Sequence, residues 1–178
     1  ILETIKSDKS VKSLILTPTR ELANQVADEI YSLKGDKNIK VLAVYGGASI
    51  EQQIKKLKSG VDIVVGTPGR VMDLMRKKIL KVDSLDYFVL DEADEMLNMG
   101  FLDEIKEVFA QLPTERQTVL FSATMPKPIL DLAKVILKDP EHIKLNQQHL
   151  TVSTIKQDAY LVLPSQKTDL LIQLIELN

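Results

Sequence analysis

The segment Tyr87-Phe88-Val89-Leu90-Asp91-Glu92-Ala93-Asp94 joins a continuous apolar run to an abrupt group of carboxylates. Apolar residues in unbroken succession are typical of a strand that is covered on both faces, as in a parallel sheet. Carboxylates that directly follow such a strand are costly unless they are solvated, paired or bound to a cation. The segment therefore predicts a buried strand that ends in a polar turn at the edge of a sheet.

Short β-rich runs alternate with longer segments of helical period on both sides of this segment. The predicted strands cover residues 14–16, 41–45, 62–65, 87–90 and 118–121, with a short further strand near 143–145. The predicted helices cover 22–33, 51–58, 101–112 and 129–137, with one more that starts near Val71. Strand–helix–strand repeats with short connections imply right-handed crossovers. We therefore expect an α/β fold, a mostly parallel sheet with helices on both faces.

The carboxyl-terminal part of the sequence predicts a second unit. Residues 146–153 are polar and lack periodicity, which is typical of a linker, so the first domain is expected to cover 1–145. After the linker, residues 155–163 predict a strand, and apolar residues at helical spacing between 170 and 175 predict a helix. Residues 154–178 are thus expected to open a second α/β domain.

Composition excludes several classes of protein. The 178 residues carry 23 Lys plus Arg against 25 Asp plus Glu, so any nucleic-acid binding must come from a local site rather than bulk charge. The chain has no cysteine and two histidines, which excludes disulfide scaffolds and argues against a His-rich metal centre. No apolar run approaches the roughly 20 residues that span a bilayer. We expect an intracellular, cytoplasmic protein with no membrane association.

Three predicted turns carry groups that can bind phosphate. The first and third each place a hydroxyl and an arginine at the start of a helix, where backbone N–H groups are free to bind an anion. The second is a pair of glycines, which would allow close approach of a phosphodiester backbone. Each turn also has a structural interpretation as a helix cap or a tight turn. Together they predict a track for a single nucleic-acid strand along residues Pro18, Thr19, Arg20, Gly46, Gly47, Thr67, Gly69 and Arg70.

The acidic segment and a later triplet predict a second kind of site. An acid at the end of a strand, such as Asp91, can hold Mg²⁺ through water, and the adjacent Glu92 can deprotonate an attacking water. Ser122 and Thr124 follow the next predicted strand, where their hydroxyls could hydrogen-bond Asp94. Taken alone, the acids are more simply explained as a solvated turn. The triplet Ser122-Ala123-Thr124 is then more simply explained as a strand cap.

In order and spacing these motifs closely resemble those of DEAD-box RNA helicases. The matching segments are PTREL (18–22), GG (46–47), TPGR (67–70), DEAD (91–94), MGF (99–101) and SAT (122–124). The resemblance implies a RecA-like fold of the P-loop NTPase type over residues 1 to about 150. It also implies ATP- and Mg²⁺-dependent binding of RNA and local unwinding of RNA duplexes.

The resemblance implies a role for each motif. Asp91 would serve Mg²⁺, Glu92 would be the base for water attack, and Asp94 with Ser122 and Thr124 would couple hydrolysis to RNA engagement. The three turns would contact RNA phosphates and sugars, independently of sequence, and the helix near Val71 would act as a wedge. We expect a monomer whose partners are single-stranded or short duplex RNA and ribonucleoproteins.

The sequence also departs from the family pattern. No match to G-x-x-x-x-G-K-[ST] occurs, so the phosphate-cradling loop is missing, as are the adenine-reading segment and the second-domain arginines. We therefore expect the chain to be an excerpt of a complete helicase and to bind ATP poorly alone. The family's strand before the phosphate loop lies inside the sheet, and its loss is expected to leave a slot with two unpaired edges.

Two alternatives remain open from the sequence. One is a clamp that binds RNA or a protein without turnover, which fits the missing phosphate loop but leaves the acids without a purpose. The other is a metal-dependent phosphohydrolase that uses Asp91, Glu92 and Asp94 directly, since carboxylate–Mg²⁺ sites occur without phosphate loops. The second alternative does not explain the PTREL and TPGR turns.

Overall fold

A computed structural model describes the protein over residues 1–145 and 158–176. The chain divides into two compact units, Ile1–Pro140 and Glu141–Asn178. The boundary at Pro140 lies close to residue 145, where the first domain was expected to end. The predicted linker, residues 146–153, lies outside the described residues.

The first unit alternates strands and helices, as the sequence predicts. Its strands are β1 (Ser13–Leu16), β2 (Val41–Val44), β3 (Ile63–Gly66), β4 (Tyr87–Leu90) and β5 (Gln117–Leu120). Its helices are α1 (Arg20–Leu33), α2 (Ile50–Lys58), α3 (Pro68–Arg76), α4 (Ala93–Asn98), α5 (Leu102–Ala110) and α6 (Lys127–Ile136). The strands form one sheet in the order β2-β3-β1-β4-β5, and every pairing is parallel. The expected α/β fold is confirmed.

The core lies on both faces of this sheet because alternate residues of a strand point to opposite sides. On one face Leu14, Leu16, Phe88 and Leu90 pack into a large cluster that includes side chains of α3 and α5. On the other face Ile15, Val65 and Val89 belong to a smaller cluster that contains Ala23 and Ala27 of α1. Burial of one such large apolar side chain contributes about 1.5–3 kcal/mol, so packing on both faces stabilises the sheet.

Four expectations from the sequence are wrong. Residues 141–145 form no strand, and Ile143 and Leu145 are 77% and 84% exposed, because a strand forms only where a neighbour pairs with it. Residues 158–163 also form no strand, while 155–157 lie outside the described residues. The segment that begins at Ala93, for which the sequence predicts no helix, forms the short helix α4.

The fourth wrong expectation is the slot that a missing interior strand would leave. No such slot is present between the five described strands. Each of them pairs directly with its neighbours in the sheet, so no unpaired row lies inside it. Instead β5 is an edge strand, and its four residues are exposed or half-buried, whereas those of β1 are all buried.

The second unit contains a helical turn, Pro164–Gln166, that runs into α7 (Lys167–Glu176). The predicted final helix is therefore confirmed. Among the residues that the structure describes, no helix combines the length and hydropathy needed to cross a membrane.

Gly66 is required by packing, which gives a test of the sheet. A Cβ on this residue would lie 2.6 Å from Val44 Cγ2 and 2.7 Å from Val71 Cγ2. Overpacking of this kind costs about 1–3 kcal/mol, so Gly66→Ala should lower the free energy of unfolding by that amount in urea denaturation. Gly69→Ala is the matched control, since nothing lies within 4 Å of a Cβ there. Equal losses in both variants would contradict this packing.

Candidate functional site

The five strands end in one row. Their last residues are register partners across the sheet, Val44 with Gly66, Gly66 with Leu16, Leu16 with Leu90, and Leu90 with Leu120. The five loops that follow therefore leave the same edge of the sheet, here called the carboxyl edge. Neighbouring strands are roughly 4.8 Å apart, so these loops begin within about 19 Å of one another.

The sheet order sorts the predicted motifs into two groups. Along the carboxyl edge the loops come in the order 45–49, 67–70, 17–20, 91–94 and 121–124. The two glycines and both arginine turns thus lie side by side, and the acids lie next to the Ser-Ala-Thr loop. The two groups also follow one another along the chain, and the crossovers of the fold bring the first arginine turn, after β1, next to the acids after β4.

The backbone of Asp91 is held by a hydrogen bond, and its side chain remains partly exposed. Its N–H donates to the carbonyl of Leu16 on β1, at 3.0 Å, which continues the pairing beyond the strand end. Its Oδ1 accepts from the Glu92 N–H at 3.0 Å, and the residue is half-buried. One carboxylate oxygen is therefore held by the chain at the edge of the sheet.

Glu92 has a backbone conformation that is uncommon for its residue type. Its φ is +51° and its ψ +52°, the left-handed region, at a cost of about 1–2 kcal/mol for a residue with a Cβ. Its side chain is exposed rather than buried against the helices. Strain of this kind concentrates at functional sites, where surrounding structure maintains it.

Asp94 is bonded to the loop after the neighbouring strand. Its Oδ2 accepts from the Thr124 N–H at 2.9 Å and from the Thr124 hydroxyl at 2.7 Å. Its own N–H donates to Ser122 Oγ at 3.2 Å, and that hydroxyl donates to the Thr124 carbonyl at 2.7 Å. The predicted contact between these hydroxyls and Asp94 is therefore present, with Thr124 as the donor to the carboxylate. We call this set the Asp94 bridge.

The Asp94 bridge favours the ionised carboxylate. Partial burial tends to raise the pKa of Asp94, but hydrogen bonds from Thr124 and Ser122 outweigh it and hold the pKa below its usual value of 3.8. At neutral pH the bridge therefore joins a charged acceptor to neutral donors, the stronger kind of hydrogen bond.

The two helix-starting threonines differ in what their hydroxyls do. Thr19 caps α1, since its hydroxyl oxygen accepts from the Leu22 N–H at 3.2 Å. Thr67 occupies the same position before α3, yet its side chain makes no capping bond. Helix capping therefore explains the hydroxyl of Thr19. It does not explain the hydroxyl of Thr67, which makes no capping bond.

The glycines of these turns also differ. Gly47 has a φ of +78°, which favours glycine for conformational reasons alone. Gly46 and Gly69 lack a positive φ, and a Cβ on either would meet nothing within 4 Å. Neither residue needs to be glycine for the fold, so both turns expose backbone to open space.

The arginines are held to different degrees. Arg20 pairs with its neighbour Glu21, and because both side chains are more than 60% exposed the pair contributes little and is easily exchanged. That pair raises the pKa of the guanidinium. Arg70 is half-buried, and its Nη1 donates to Gln53 Oε1 at 3.0 Å and to the Ala48 carbonyl at 3.3 Å. Its remaining N–H groups are available to a ligand.

Gln53 is a positioning residue that sequence reasoning missed. It is 6% exposed on α2, and its Nε2 donates to the Tyr45 carbonyl at 3.1 Å. Its amide thus joins the glycine loop to Arg70. A glutamine on a helix that is otherwise amphipathic gives no signal of this in sequence, because the contact exists only once α2 lies beside α3.

The residues described contain no group of three or more His, Cys, Asp or Glu side chains arranged to hold a metal ion.

A family model for DEAD/DEAH box helicases matches residues 1–132. The chain belongs to this family. The DEAD-box chain is 46% identical over 173 residues to the ATP-dependent RNA helicase CshA of Listeria monocytogenes, covering 97% of this chain and 33% of that protein. It is 47% identical over 160 residues to the RNA helicase CrhR of Synechocystis, covering 90% and 32%. The chain therefore spans about a third of the length of these relatives.

Solved structures agree with this assignment. A DEAD box protein from Methanococcus jannaschii superposes with a TM-score of 0.80 at 44% identity, covering 98% of this chain and 47% of that one. A hypothetical ATP-dependent RNA helicase from Sulfolobus tokodaii gives a TM-score of 0.70 at 43% identity, covering 74% and 39%.

The Asp94 bridge should contribute a pH-dependent stability. Because the folded-state pKa of Asp94 is lowered, its contribution is present above the usual value of 3.8 and is lost as pH falls through the folded value. Thr124→Val should cost about 0.5–1 kcal/mol near pH 7, a value reduced for partial exposure, and progressively less below about pH 4.

Urea denaturation across this pH range measures the effect, with the exposed Thr114→Val as a control. A cost for Thr124→Val that stays constant down to the lowest pH at which the protein folds would contradict the bridge.

Proposed function

We propose that this DEAD-box chain forms part of an ATP-dependent RNA helicase, in which it binds RNA and supplies the acids of the ATPase site. The observation that carries the proposal is the sorted carboxyl edge: phosphate-capable turns on β2, β3 and β1, acids and hydroxyls on β4 and β5. One edge of the sheet thereby offers adjacent binding sites for a ribose–phosphate strand and for a nucleotide. The complete reaction is proposed for the full-length protein, since the relatives are about three times as long.

Asp91 would hold Mg²⁺ through water. Its half-buried carboxylate lies at the edge with one oxygen engaged by the Glu92 N–H, and the absence of a dense metal cage among the described residues fits an ion that keeps much of its water. When bound, Mg²⁺ supplies charge compensation for the phosphate oxygens of ATP.

Glu92 is proposed as the base that takes a proton from the attacking water. Its exposed carboxylate directly follows Asp91, and a left-handed backbone holds it there at an energetic cost. No match to the phosphate-cradling motif occurs in these 178 residues, so we assign ATP binding affinity to the full-length protein.

RNA would be bound through its backbone by the three turns on β2, β3 and β1. Arg20 and Arg70 offer guanidinium groups, Gly46 and Gly69 offer open backbone, and Gln53 keeps Arg70 against the glycine loop. Aromatic residues make up 4% of the chain, with no Trp, so base stacking contributes little and binding is independent of sequence. The proposal includes single-stranded or short duplex RNA, alone or in ribonucleoproteins, as substrate for a cytoplasmic monomer.

The Asp94 bridge would couple ATP hydrolysis to RNA binding. It joins the helix that follows the acids to the loop after β5 within the nucleotide site, and the Asp91 N–H bond to the Leu16 carbonyl joins that site to the arginine turn after β1. A clamp without turnover, the main alternative, would use the same RNA turns and leave Glu92 without a chemical role.

Glu92→Gln tests the proposal against that clamp. The substitution removes the base and keeps the side-chain shape, so RNA-stimulated ATP hydrolysis by the full-length protein should fall by about a hundredfold or more. ATP-dependent RNA binding should persist. Glu95→Gln on α4 is the matched control, with the same charge change on an exposed helical residue. Unchanged hydrolysis in Glu92→Gln would rule out the catalytic assignment.

Arg20→Ala and Arg70→Ala should each lower RNA affinity equally for all sequences. Each should reduce the slope of log K against log salt by about 0.7, the value for one phosphate of a single strand. Gln53→Leu should also weaken binding but retain the full slope, because the charge of Arg70 remains while its orientation is lost. Fluorescence anisotropy with oligouridine measures these effects, with exposed Gln52→Leu as the control for Gln53. Slopes unchanged in both arginine variants would place RNA elsewhere.

A further inference from the structure

The opposite edge of the sheet, at the amino ends of the strands, contains a cavity that the proposed function does not use. Its volume is about 400 Å³. It is formed by the loops that precede β1, β3 and β4, in the ranges 9–11, 57–61 and 78–84. Since the strands are parallel, the cavity lies at the end of the sheet away from the carboxyl edge, and an occupant would leave that edge free.

The rim of this cavity is basic. Lys9, Lys58, Lys78 and Lys81 line it together with one acid, Asp83. All four lysines are exposed, and within the described part of the chain none of them forms an ion pair. A cation at a helix carboxyl end offsets the helix dipole, which accounts for Lys58 as the last residue of α2. Lys78 directly follows Lys77, the C-cap of α3, so the same explanation applies to it, whereas Lys9 and Lys81 lie away from helix ends.

Two of these lysines have a backbone that favours glycine. Lys9 has a φ of +70° and Lys78 a φ of +56°, both in the left-handed region that few residues with a Cβ adopt. The chain uses glycine at the neighbouring Gly60, where φ is +85°. A Cβ on Gly60 would lie 2.8 Å from Lys9 Cβ, so the two loops are in close contact. At Lys78 this conformation closes the end of α3, since the Lys78 N–H donates to the Met75 carbonyl at 2.8 Å and the Ile79 N–H to the Leu74 carbonyl at 2.9 Å. Lys9 is at no helix end and carries a long cation where glycine would be less strained.

The floor of the cavity is apolar. Val11, Val61 and Leu80 are buried beneath it, and Leu57 and Ile79 are half-buried at its sides. The space is large enough for more than one bulky apolar side chain. No aromatic side chain and no arginine is among the described residues that line it, and these are the groups that stack on bases or bind phosphate in two places.

We propose that this cavity docks an acidic peptide segment of a partner protein that inserts a large apolar side chain. The floor would bury that side chain, and the lysine rim would face carboxylates on either side of it. This arrangement follows from charge complementarity, because the rim holds four cations against one anion. Docking is compatible with RNA and ATP at the opposite edge.

The test uses the full-length protein and the fluorescein-labelled peptide Asp-Glu-Asp-Leu-Phe-Glu-Asp-Glu, followed by anisotropy at low salt. Lys58→Gln/Lys81→Gln should weaken binding about fivefold or more, whereas Lys55→Gln/Lys56→Gln, which removes the same charge from α2 outside the cavity, should not. Lys9→Gly/Lys78→Gly should weaken it similarly while keeping the thermal midpoint, since glycine suits both backbones. A peptide with Ser-Ser in place of Leu-Phe should lose binding as well.

Oligouridine is titrated into the same variants as the second arm. Retained RNA affinity in the cavity variants, together with lost peptide affinity, is the result that the proposal predicts. Peptide affinity that is equal in the cavity variants and the Lys55/Lys56 control would overturn it. So would a loss of oligouridine affinity confined to the cavity variants, since the lysines would then form an RNA surface.

Discussion

Parallel pairing of the buried strand β4, with β1 on one side and β5 on the other, is the constraint on which the functional edge depends. Leu90 is the register partner of both Leu16 and Leu120, so the acids begin level with the arginine turn and with the Ser-Ala-Thr loop. A shift by one residue would turn Phe88 and Leu90 out of the larger cluster and into the smaller one. The apolar core therefore sets the alignment of the polar loops.

The crossovers then place the loops along the carboxyl edge in an order that differs from their order in the chain. The glycine turn, second along the chain, lies at the outer end of the edge, and the first arginine turn lies directly beside the acids. Two sets of local hydrogen bonds add to this arrangement. Gln53 ties Arg70 to the glycine loop, and the Asp94 bridge ties the acidic helix to the loop after β5. The Asp91 N–H bond to the Leu16 carbonyl then connects the acids to the arginine turn after β1, which offers a physical route between the two sites.

Much of this was predictable from the sequence, and for identifiable reasons. The apolar run Tyr87–Leu90 predicts a strand covered on both faces, and the parallel topology that follows requires the polar motifs to meet at one edge. The contact of Thr124 with Asp94 was predictable because the two follow strands that were expected to be neighbours.

The rest depends on tertiary contacts that leave no local signal. Ile143 and Leu145 have the composition of a strand, yet strand formation needs a pairing partner, which residues 141–145 lack. The role of Gln53 exists only once α2 lies beside α3. The left-handed backbone of Glu92, Lys9 and Lys78 is equally invisible in sequence, since each of these residues usually adopts other conformations.

The most direct test is a crystal structure of the full-length protein with oligouridine, Mg²⁺ and a non-hydrolysable ATP analogue. This account predicts RNA phosphates against the turns after β1, β2 and β3, and the nucleotide phosphates with Mg²⁺ beside Asp91 and Glu92. RNA bound at the amino edge of the sheet, or a nucleotide remote from Asp91, would contradict it.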